Sequence, residues 1–383
     1  IHTEWFYSDC LADFYHTEPF SPEHWRILER FIRTAVKNGI NMILTPIFTP
    51  ELDTYIGGER TTTQLVRIRV TAPGQYAFDF SLLDRWIDLC LSCGVEYFEM
   101  AHLFSQWGAA AAPKVVAEVE GEVRRIFGWE TDALGADYEC FLSQFLPALV
   151  AFLQKKGVDQ KTFFHISDEP HGKHLEHYLA CKNLVAGYIG DLPLIDAMSD
   201  YAFYESGVMQ KPIPVIYHAD PFLAHNVPGL WVYYNGSTTG TYHITGRMIA
   251  QRLCDTRALG FQLWQNRIEG FLHWGFNFWN SQDSYHHLDP FLNTDADYFM
   301  PSGDAFLVYP GEGGDCWESL RLNAMREAME DLRMLSLCES VRGRDFTEAL
   351  LRETAGEPVT FRTLPREDFY GILREKIAAA IEE

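Results

Sequence analysis

The sequence predicts an α/β fold, a (β/α)8 barrel of the TIM type, and three observations lead to this prediction. Short apolar segments alternate with amphipathic ones along most of the chain, which is typical of parallel strands joined by helices. The strand-like segments number eight, as in a closed barrel. Polar or aromatic residues follow most of these segments, at the strand ends where such barrels place their functional groups. The 383 residues suffice for one large domain of this kind.

Each element is predicted from its local pattern. Ser21-Pro22 opens the first helix, because serine is a favourable N-cap and proline suits the first turn. A stripe of leucine, isoleucine and tryptophan side chains predicts an amphipathic helix over 81–94. The eight strands are predicted at 3–9, 40–45, 95–101, 162–167, 193–197, 213–218, 230–234 and 271–276. The main helices are predicted at 21–39, 81–94, 138–156, 173–188, 246–260 and 320–337.

The barrel is expected to be irregular around its fifth to seventh strands, where the links are short and poorly helical. Two long excursions, 46–80 and the loop after the third strand, leave the same end of the barrel, and the first carries a small strand at 65–70. The segment 281–314 is polar and rich in Gly and Asp, which predicts a loop over the barrel mouth. We predict a catalytic barrel over 1–340 and a structural extension with a terminal helix over 341–383.

Composition and charge exclude several classes of partner. The net charge of -22 argues against nucleic acid and anionic membranes, which require clustered Lys and Arg. No apolar run reaches the length of about 18 residues that a membrane-spanning helix needs. The eight cysteines lack a framework spacing, which favours a reduced, cytoplasmic setting. Because the chain opens at Ile1 rather than Met, an upstream segment is expected and export stays open. The oligomeric state is not predicted.

The pair Asp168-Glu169 is the most informative feature of the sequence. An apolar strand-like run delivers two adjacent carboxylates to the point where Pro170 prevents further sheet pairing. Two carboxylates in close contact rarely both ionise, so one of them tends to hold a proton. A protonated carboxyl near neutral pH is what general acid catalysis requires. Since neighbouring strand residues point to opposite faces, both can enter one pocket only where the strand breaks up, as Pro170 predicts.

The other strand ends predict a sugar-binding site. Aromatic faces stack on the C–H surfaces of a pyranose, while carboxylate, amide, imidazole and guanidinium groups bind its hydroxyls. Alternatives stay open, because Trp274 also fits a core position and Asp9 also fits a role in holding a loop. Tyr233 and Tyr234 alternate, so only one of the two is expected to face inward. The predicted substrate-binding residues are Asp9, Arg60, His102, Trp107, Tyr217, Tyr234, Trp274, Asn277 and Trp279.

No metal site and no cofactor are predicted. His174 and His177 lie three residues apart, whereas a helical zinc pair needs a spacing of four with a glutamate correctly placed. Asp295 and Asp297 lack the glycine and the terminal glutamate of a calcium loop. Cys90 and Cys93 have no second pair that would complete a zinc site.

The Ser-Asp-Glu-Pro run 167–170, the stretch Trp274 to Trp279 and the Val-Tyr-Pro-Gly run 308–311 resemble glycoside hydrolase family 123. The resemblance extends over most of the chain, and its most specific element is the Asp-Glu pair. It implies a retaining β-N-acetylgalactosaminidase on a (β/α)8 barrel, commonly preceded by a β-sandwich. No sandwich-like segment precedes the first strand here, which agrees with an upstream piece that is missing from this sequence.

By this resemblance, Glu169 would be the general acid, and later the base for the incoming water. Asp168 would orient the 2-acetamido group of the substrate while its carbonyl oxygen attacks the anomeric carbon, so that no enzyme nucleophile is needed. We further expect Trp274 and Trp279 to wall the N-acetyl pocket and a tyrosine, Tyr234 or Tyr217, to bind the acetamide oxygen.

Three alternatives remain at the level of sequence. The first is a glycosidase for non-acetylated sugars, in which Glu99 or Asp196 is the partner of Glu169. The second is a non-catalytic carbohydrate-binding barrel, because a fold does not fix a function. A metal-dependent hydrolase ranks last, given the histidine spacing. In each of these cases except the last the expected ligand is a carbohydrate.

Overall fold

Six parallel strands form one curled sheet in the computed structural model, which describes residues 1–236 and 244–382. These strands are β1 (His2–Glu4), β2 (Met42–Thr45), β5 (Tyr97–Met100), β8 (Thr162–Phe163), β11 (Trp231–Tyr233) and β12 (Gly270–His273). Their order in the sheet is β11-β12-β1-β2-β5-β8, and every neighbouring pair runs parallel. Their residues are almost all buried, as parallel strands covered on both faces require.

A short parallel pair lies between the two edges of this sheet. It consists of β9 (Asp196–Ala197) and β10 (Pro212–Ile213). Single parallel bridges join Phe164 to Leu194 on one side and Val215 to Tyr233 on the other. The mixed α/β fold and the curled parallel sheet are therefore confirmed, but the eight predicted strands do not form one continuous sheet. The irregularity lies at the fifth to seventh predicted strands, where it was expected.

Helices join most of these strands and cover the sheet. Ser21 accepts a hydrogen bond from the backbone N–H of His24 (3.2 Å) and so caps the helix that the Ser-Pro pair predicts. The described helices are Ser8–Phe14, Pro22–Lys37, Ser81–Cys93, Ala136–Lys156, Leu175–Ile189, Ala202–Glu205, Asp220–Ala224, Leu253–Arg257, Leu259–Gln265, Leu320–Arg342, Arg344–Ala355 and Phe369–Glu382.

The two long excursions fold together into a second, four-stranded sheet. It contains the hairpin β3 (Arg67–Ala72) and β4 (Gln75–Asp79) and the hairpin β6 (Val115–Val119) and β7 (Glu122–Phe127). Their order is β4-β3-β6-β7, so a parallel contact between β3 and β6 joins the hairpins. This sheet brings the loops after β2 and β5 side by side. The sequence predicted only the first of its four strands.

Two predicted elements differ from the structure. The first strand was predicted to end at Asp9, but it ends at Glu4, and Asp9 lies in the helix Ser8–Phe14. The reason is that the aromatic run after Glu4 is buried as a turn into this helix instead of as a strand. The helix predicted over 246–260 is replaced by two short helices, Leu253–Arg257 and Leu259–Gln265. The segment 308–318 adds a small antiparallel hairpin, β13 (Val308–Pro310) and β14 (Cys316–Glu318).

The C-terminal helices pack on the outside of the sheet domain. Phe369, Leu373 and Ile377 share a buried apolar cluster with Phe261 and Trp264. Asp331 accepts hydrogen bonds from Arg257 (2.6 Å) and from Arg374 (2.7 Å), which adds ion pairs to the same contact. Among the described residues, no helix has both the length and the apolar composition of a membrane span.

Candidate active site

Asp168 and Glu169 line one cavity of about 260 Å³ at the carboxyl ends of the strands. Both residues are half-buried, and both follow the strand β8 by several positions. Glu169 has a φ of 42°, which is unusual for a residue other than glycine. The chain therefore curls at Glu169 instead of alternating as a strand, and this curl lets two neighbouring carboxylates face the same space.

The backbone around the pair is held from both sides. The N–H of Trp107 donates to the carbonyl of Asp168 (2.8 Å), and the N–H of Glu169 donates to the carbonyl of Ala197 (3.0 Å). One step earlier, the N–H of Phe104 donates to the carbonyl of Ile166 (3.1 Å). These bonds continue the parallel pairing beyond β5 and β8, so the loop after β5 and the end of β9 fix the backbone that carries the carboxylates.

A buried histidine, His165, lies three residues before Asp168 and joins the segment after β8 to β5 and β9. His165 Nδ1 lies 2.9 Å from Asp196 Oδ1, and His165 Nε2 lies 2.6 Å from Glu99 Oε1. Burial alone would lower the pKa of His165, but the hydrogen bonds to Asp196 and Glu99 outweigh it and raise this pKa to about 9. His165 is therefore a cation between two carboxylates at neutral pH.

Asp196 and Glu99 are both engaged in several hydrogen bonds within the protein. Asp196 also accepts hydrogen bonds from the N–H of Ile166 (3.1 Å) and from the hydroxyl of Tyr178. Glu99 also accepts hydrogen bonds from the indole of Trp5 (2.7 Å) and from the hydroxyl of Thr3. Both carboxylates are fully buried. They fit a structural role below the cavity better than a role as nucleophile or base.

The electrostatics of the cavity favour a proton on the pair Asp168-Glu169. Burial raises the pKa of Asp168 well above its usual value, and the neighbouring charges of Glu169 and Asp53 raise it further. The hydroxyl of Tyr233 donates to Glu169 Oε1 and so fixes the orientation of this carboxyl. The pair thus consists of one carboxyl that prefers to be neutral and one whose orientation a tyrosine fixes.

Aromatic side chains form the walls. The indole N–H of Trp274 donates to Asp304 Oδ2 (3.0 Å), and that of Trp5 donates to Glu99, so both ring planes are fixed from behind. Trp107 is 44% exposed at the rim and has a φ of 59°. The remaining lining residues are Asp53, Ala197, Tyr233, Asn235, Leu272, Phe299 and Met300. Fixed indole faces beside carboxylates suit a pyranose ring.

A second cavity of about 470 Å³ adjoins the first. The two share Glu169, Tyr233 and Asn235, so Glu169 stands at their junction. Tyr217, His218 and Asp200 line only the second cavity. A ligand that fills both would thus pass the Glu169 carboxyl at the boundary.

Of the predicted site residues, the first cavity contains Asp168, Glu169, Trp107 and Trp274, and the second contains Tyr217. Asp9 and Arg60 do not line either cavity. They form a buried ion pair (2.7 Å), and the guanidinium lies 4.7 Å from the ring centre of Tyr7. Because Asp9 lies in a helix and not at a strand end, its carboxylate turns to Arg60 inside the protein.

His102 lies one layer below the cavity. Its ring stacks on that of His165 at 4.2 Å and meets the edge of Trp5 at 5.3 Å. Neither ring nitrogen has a hydrogen-bond partner among the described residues. Burial, and then the positive charge of His165, hold the pKa of His102 well below its usual value. The neutral ring supports Trp5 from beneath.

Three other predicted residues also lie away from both cavities. The hydroxyl of Tyr234 faces Met325 Sδ (3.5 Å), because at this strand end Tyr233 is the residue that faces inward. The amide of Asn277 is bonded to the backbone of Tyr7 on both sides (2.9 and 3.0 Å). Trp279 packs against Phe14 and Phe31, so its position in the loop after β12 turns it toward the core.

Sequence reasoning missed four charged or aromatic residues of the cavity, one of which, Phe299, lies in the segment predicted as the mouth loop. Tyr233 was the alternative to Tyr234, and the direction of strand alternation decides between them. Trp5 lies just after β1, inside a run that was interpreted as a longer strand. Asp53 lies on the long loop after β2, where no local pattern shows which side chains return to the mouth.

One group of side chains has the composition of a metal site. His102, His165 and Asp196 each bring one possible ligand atom to within 4.8 Å of the others. However, His165 already uses both ring nitrogens in short hydrogen bonds to carboxylates. The donor set therefore suits a hydrogen-bonded ion network better than a metal ion.

Comparison with known proteins identifies a family to which the sequence is similar and solved structures with a similar fold. The sequence pattern of the family described as "Glycoside hydrolase 123, catalytic domain" matches residues 5–338. A solved structure of a family 123 glycoside hydrolase from Clostridium perfringens, studied for glycolipid glycan hydrolysis, superposes with a TM-score of 0.68 at 14% identity. That match covers 100% of this chain and 68% of the other.

Weaker similarities extend to other glycosidases. A family 5 mannosidase from Rhizomucor miehei has a TM-score of 0.40 at 10% identity, covering 87% of this chain and 92% of that one. A psychrophilic family 10 endo-β-1,4-xylanase has a TM-score of 0.38 at 12% identity, covering 85% and 95%. Among curated proteins, none matches the sequence.

Proposed function

This chain belongs to the glycoside hydrolase 123 family, and we propose that it is a retaining, exo-acting β-N-acetylgalactosaminidase. Membership makes it a glycoside hydrolase with a carbohydrate substrate. The finer proposal concerns the sugar and the mechanism: the 2-acetamido group of the substrate supplies the nucleophile. The observation that carries it is the convergence of Asp168 and Glu169 on one cavity with indole walls.

Glu169 is the general acid in this proposal. It stands where the two cavities meet, so the sugar fills the first cavity and the leaving group extends into the second. Tyr233 holds one carboxyl oxygen, and the other is free to protonate the glycosidic oxygen. After the leaving group departs, the same carboxylate removes a proton from the incoming water.

Asp168 orients the acetamido group. Before the substrate binds, burial and the charge of Glu169 raise the pKa of Asp168, so the pair holds a shared proton. An amide N–H placed beside Asp168 stabilises its charged form, and the proton then belongs to Glu169. The carboxylate aligns the amide so that its carbonyl oxygen attacks the anomeric carbon, and a cyclic intermediate replaces a glycosyl-enzyme.

The main alternative, a glycosidase with Glu99 or Asp196 as second carboxylate, has less support. Both groups accept hydrogen bonds from at least three donors and are buried below the cavity floor. We also propose that β9 and β10 close the sheet into a complete (β/α)8 barrel. The bridges at Phe164 and Val215 support this closure.

The test of this function compares aryl glycosides with wild type and Glu169→Gln. We expect turnover of phenyl N-acetyl-β-galactosaminide to fall by about 10²–10⁴-fold in Glu169→Gln. The nitrophenyl glycoside should lose much less, because its leaving group needs little protonation. Glu176→Gln, an exposed glutamate on the following helix, is the matched control and should retain full activity.

Two results would contradict the proposal. Equal losses for the phenyl and nitrophenyl substrates would remove Glu169 from the role of acid. Hydrolysis of plain galactosides at the same rate as N-acetylgalactosaminides would favour the alternative mechanism. Hydrolysis of N-acetylglucosaminides at the same rate as N-acetylgalactosaminides would contradict the proposed preference for the galacto configuration. Product analysis by NMR decides retention of the anomeric configuration.

A further inference from the structure

A third carboxylate, Asp53, lines the sugar cavity together with Asp168 and Glu169. It lies on the long loop after β2, far from Asp168 and Glu169 in the sequence. It does not line the second cavity, which holds the leaving group in the proposed function. Asp53 therefore faces the sugar itself and not the group that departs.

The backbone of Asp53 is fixed in a conformation that such residues seldom adopt. Its φ is 49°, in the left-handed region. Its N–H donates to the side-chain oxygen of Gln106 (2.6 Å), and its carbonyl accepts from the hydroxyl of Ser284 (2.7 Å). The loops after β5 and β12 thus hold Asp53 in place and aim its side chain into the cavity.

The carboxylate itself forms no hydrogen bond to another described residue. Burial, and then the charge of Glu169, raise the pKa of Asp53 to about 7. An acidic group that is half-buried, held rigidly and without a hydrogen-bond partner among the described residues is suited to a ligand that supplies donors. Hydroxyl groups of a sugar both donate and accept, so they bind either protonation state.

We propose that Asp53 binds a ring hydroxyl of the sugar in the first cavity, at C3, C4 or C6. Carbon atoms C1 and C2 face the catalytic pair, because Glu169 serves the glycosidic oxygen and Asp168 the acetamido group. The hydroxyls farther round the ring are the donors left for Asp53. The inference rests on the proposed function in that it uses this placement of the sugar.

The test combines a substitution at Asp53 with three deoxy substrates. Asp53→Gly removes the carboxyl, and glycine tolerates the left-handed backbone. Asp283→Gly is the matched control, since Asp283 has a φ of 52°, lies near Asp53 and lines neither cavity. With the nitrophenyl N-acetyl-β-galactosaminide, we expect kcat/KM to fall about 10- to 100-fold in Asp53→Gly and by less than about twofold in the control.

The 3-, 4- and 6-deoxy analogues then identify the hydroxyl. One of them should lose about as much as Asp53→Gly when tested with wild type, and should lose nothing further in the variant. Additive losses for all three analogues would overturn the inference. A loss of more than about 10⁴-fold for every substrate would instead make Asp53 part of the bond-breaking chemistry and would overturn it as well.

Failure of the proposed function gives a different result. If wild type hydrolyses only non-acetylated galactosides, that function is contradicted, while the same three deoxy positions on the galactoside still decide whether Asp53 binds a hydroxyl. Circular dichroism and the denaturation midpoint of Asp53→Gly, compared with Asp283→Gly, exclude a loss that comes from misfolding.

Discussion

Two adjacent acidic residues serve one site because the chain does not continue as a strand. In a regular strand, the side chains of Asp168 and Glu169 would face opposite sides of the sheet. The positive φ of Glu169 and the following Pro170 break that alternation, and both side chains enter one cavity.

The raised pKa of Asp168 predicts a gain in stability when its charge is removed. The pKa of this carboxyl is higher in the folded state than in the unfolded state. Its contribution to the free energy of unfolding is therefore smallest at pH values above the folded pKa. The protein loses this stability as the pH rises from about 4, the unfolded value, through the folded value. Asp168→Asn should therefore unfold at a higher urea concentration than wild type at pH 8, and at the same concentration near pH 4.

The same variant should lose activity on N-acetylated substrates by orders of magnitude. This combination is expected for a residue whose burial lowers the stability of the protein but serves its function. Asp191→Asn, at an exposed aspartate in a turn, is the control and should change neither property. A structural role for Asp168 would show the reverse pattern, with stability lost at pH 8 in parallel with activity.

At the scale of elements, the ion network of His165 joins β5, β9 and the segment after β8 below the pair Asp168-Glu169. Glu99 lies in β5, Asp196 lies in β9, and His165 lies in the segment after β8. These strands are only two to four residues long, so backbone pairing alone fixes them weakly. The buried charges add directional bonds at the point where regular pairing ends.

This network predicts a stability that depends on pH in a definite direction. The pKa of His165 is raised to about 9 in the folded protein, against about 6.5 in the unfolded chain. Its contribution, at most about 3 kcal/mol, is therefore complete below pH 6.5 and is lost as the pH rises through 9. His165→Gln should be strongly destabilised at pH 6 and much closer to wild type at pH 9.5.

Urea denaturation at the two pH values measures this difference. His225→Gln, at an exposed histidine, should follow wild type at both. An equal destabilisation by His165→Gln at pH 6 and pH 9.5 would mean that the histidine contributes by packing and not by charge.

Elements with strong local patterns were predictable from the sequence, and the strands were predictable only in position. The helix Pro22–Lys37 begins where its capping serine predicts, and Ala136–Lys156 ends near the predicted residue in spite of Pro147. The strands proved shorter than predicted, because an apolar run does not show where pairing stops and a buried turn begins. The hairpin β6–β7 was missed, since β7 is largely exposed and its sequence lacks the apolar alternation of a half-buried strand.

At the scale of the whole molecule, the site assembles from segments that are far apart in sequence. The positions of Asp168, Glu169 and Trp274 in the cavity were predictable because these residues follow recognisable strands. Asp53 was not, since a loop of about twenty residues returns to the mouth only through contacts with Gln106 and Ser284. The choice between Tyr233 and Tyr234 depends on the sheet register, which a single sequence does not contain.

The C-terminal segment 341–382 packs against the rest of the protein through the apolar cluster around Phe261 and Trp264. The guanidinium of Arg344 lies 3.7 Å from the ring centre of Trp264, and Asp331 accepts from both Arg257 and Arg374. This contact covers helices on the outside of the sheet, remote from the residues that line the cavity. That 341–383 is a structural extension of the barrel domain stays a prediction.

The central claim is that the acetamido group of the substrate attacks the anomeric carbon while Asp168 and Glu169 act on the same sugar. The most direct measurement is kcat/KM for nitrophenyl β-galactosaminides whose N-acetyl group carries zero, one, two or three fluorine atoms. Each fluorine withdraws electrons from the carbonyl oxygen, so the account predicts that the rate falls steadily along the series. A rate that does not change with fluorine content would contradict it.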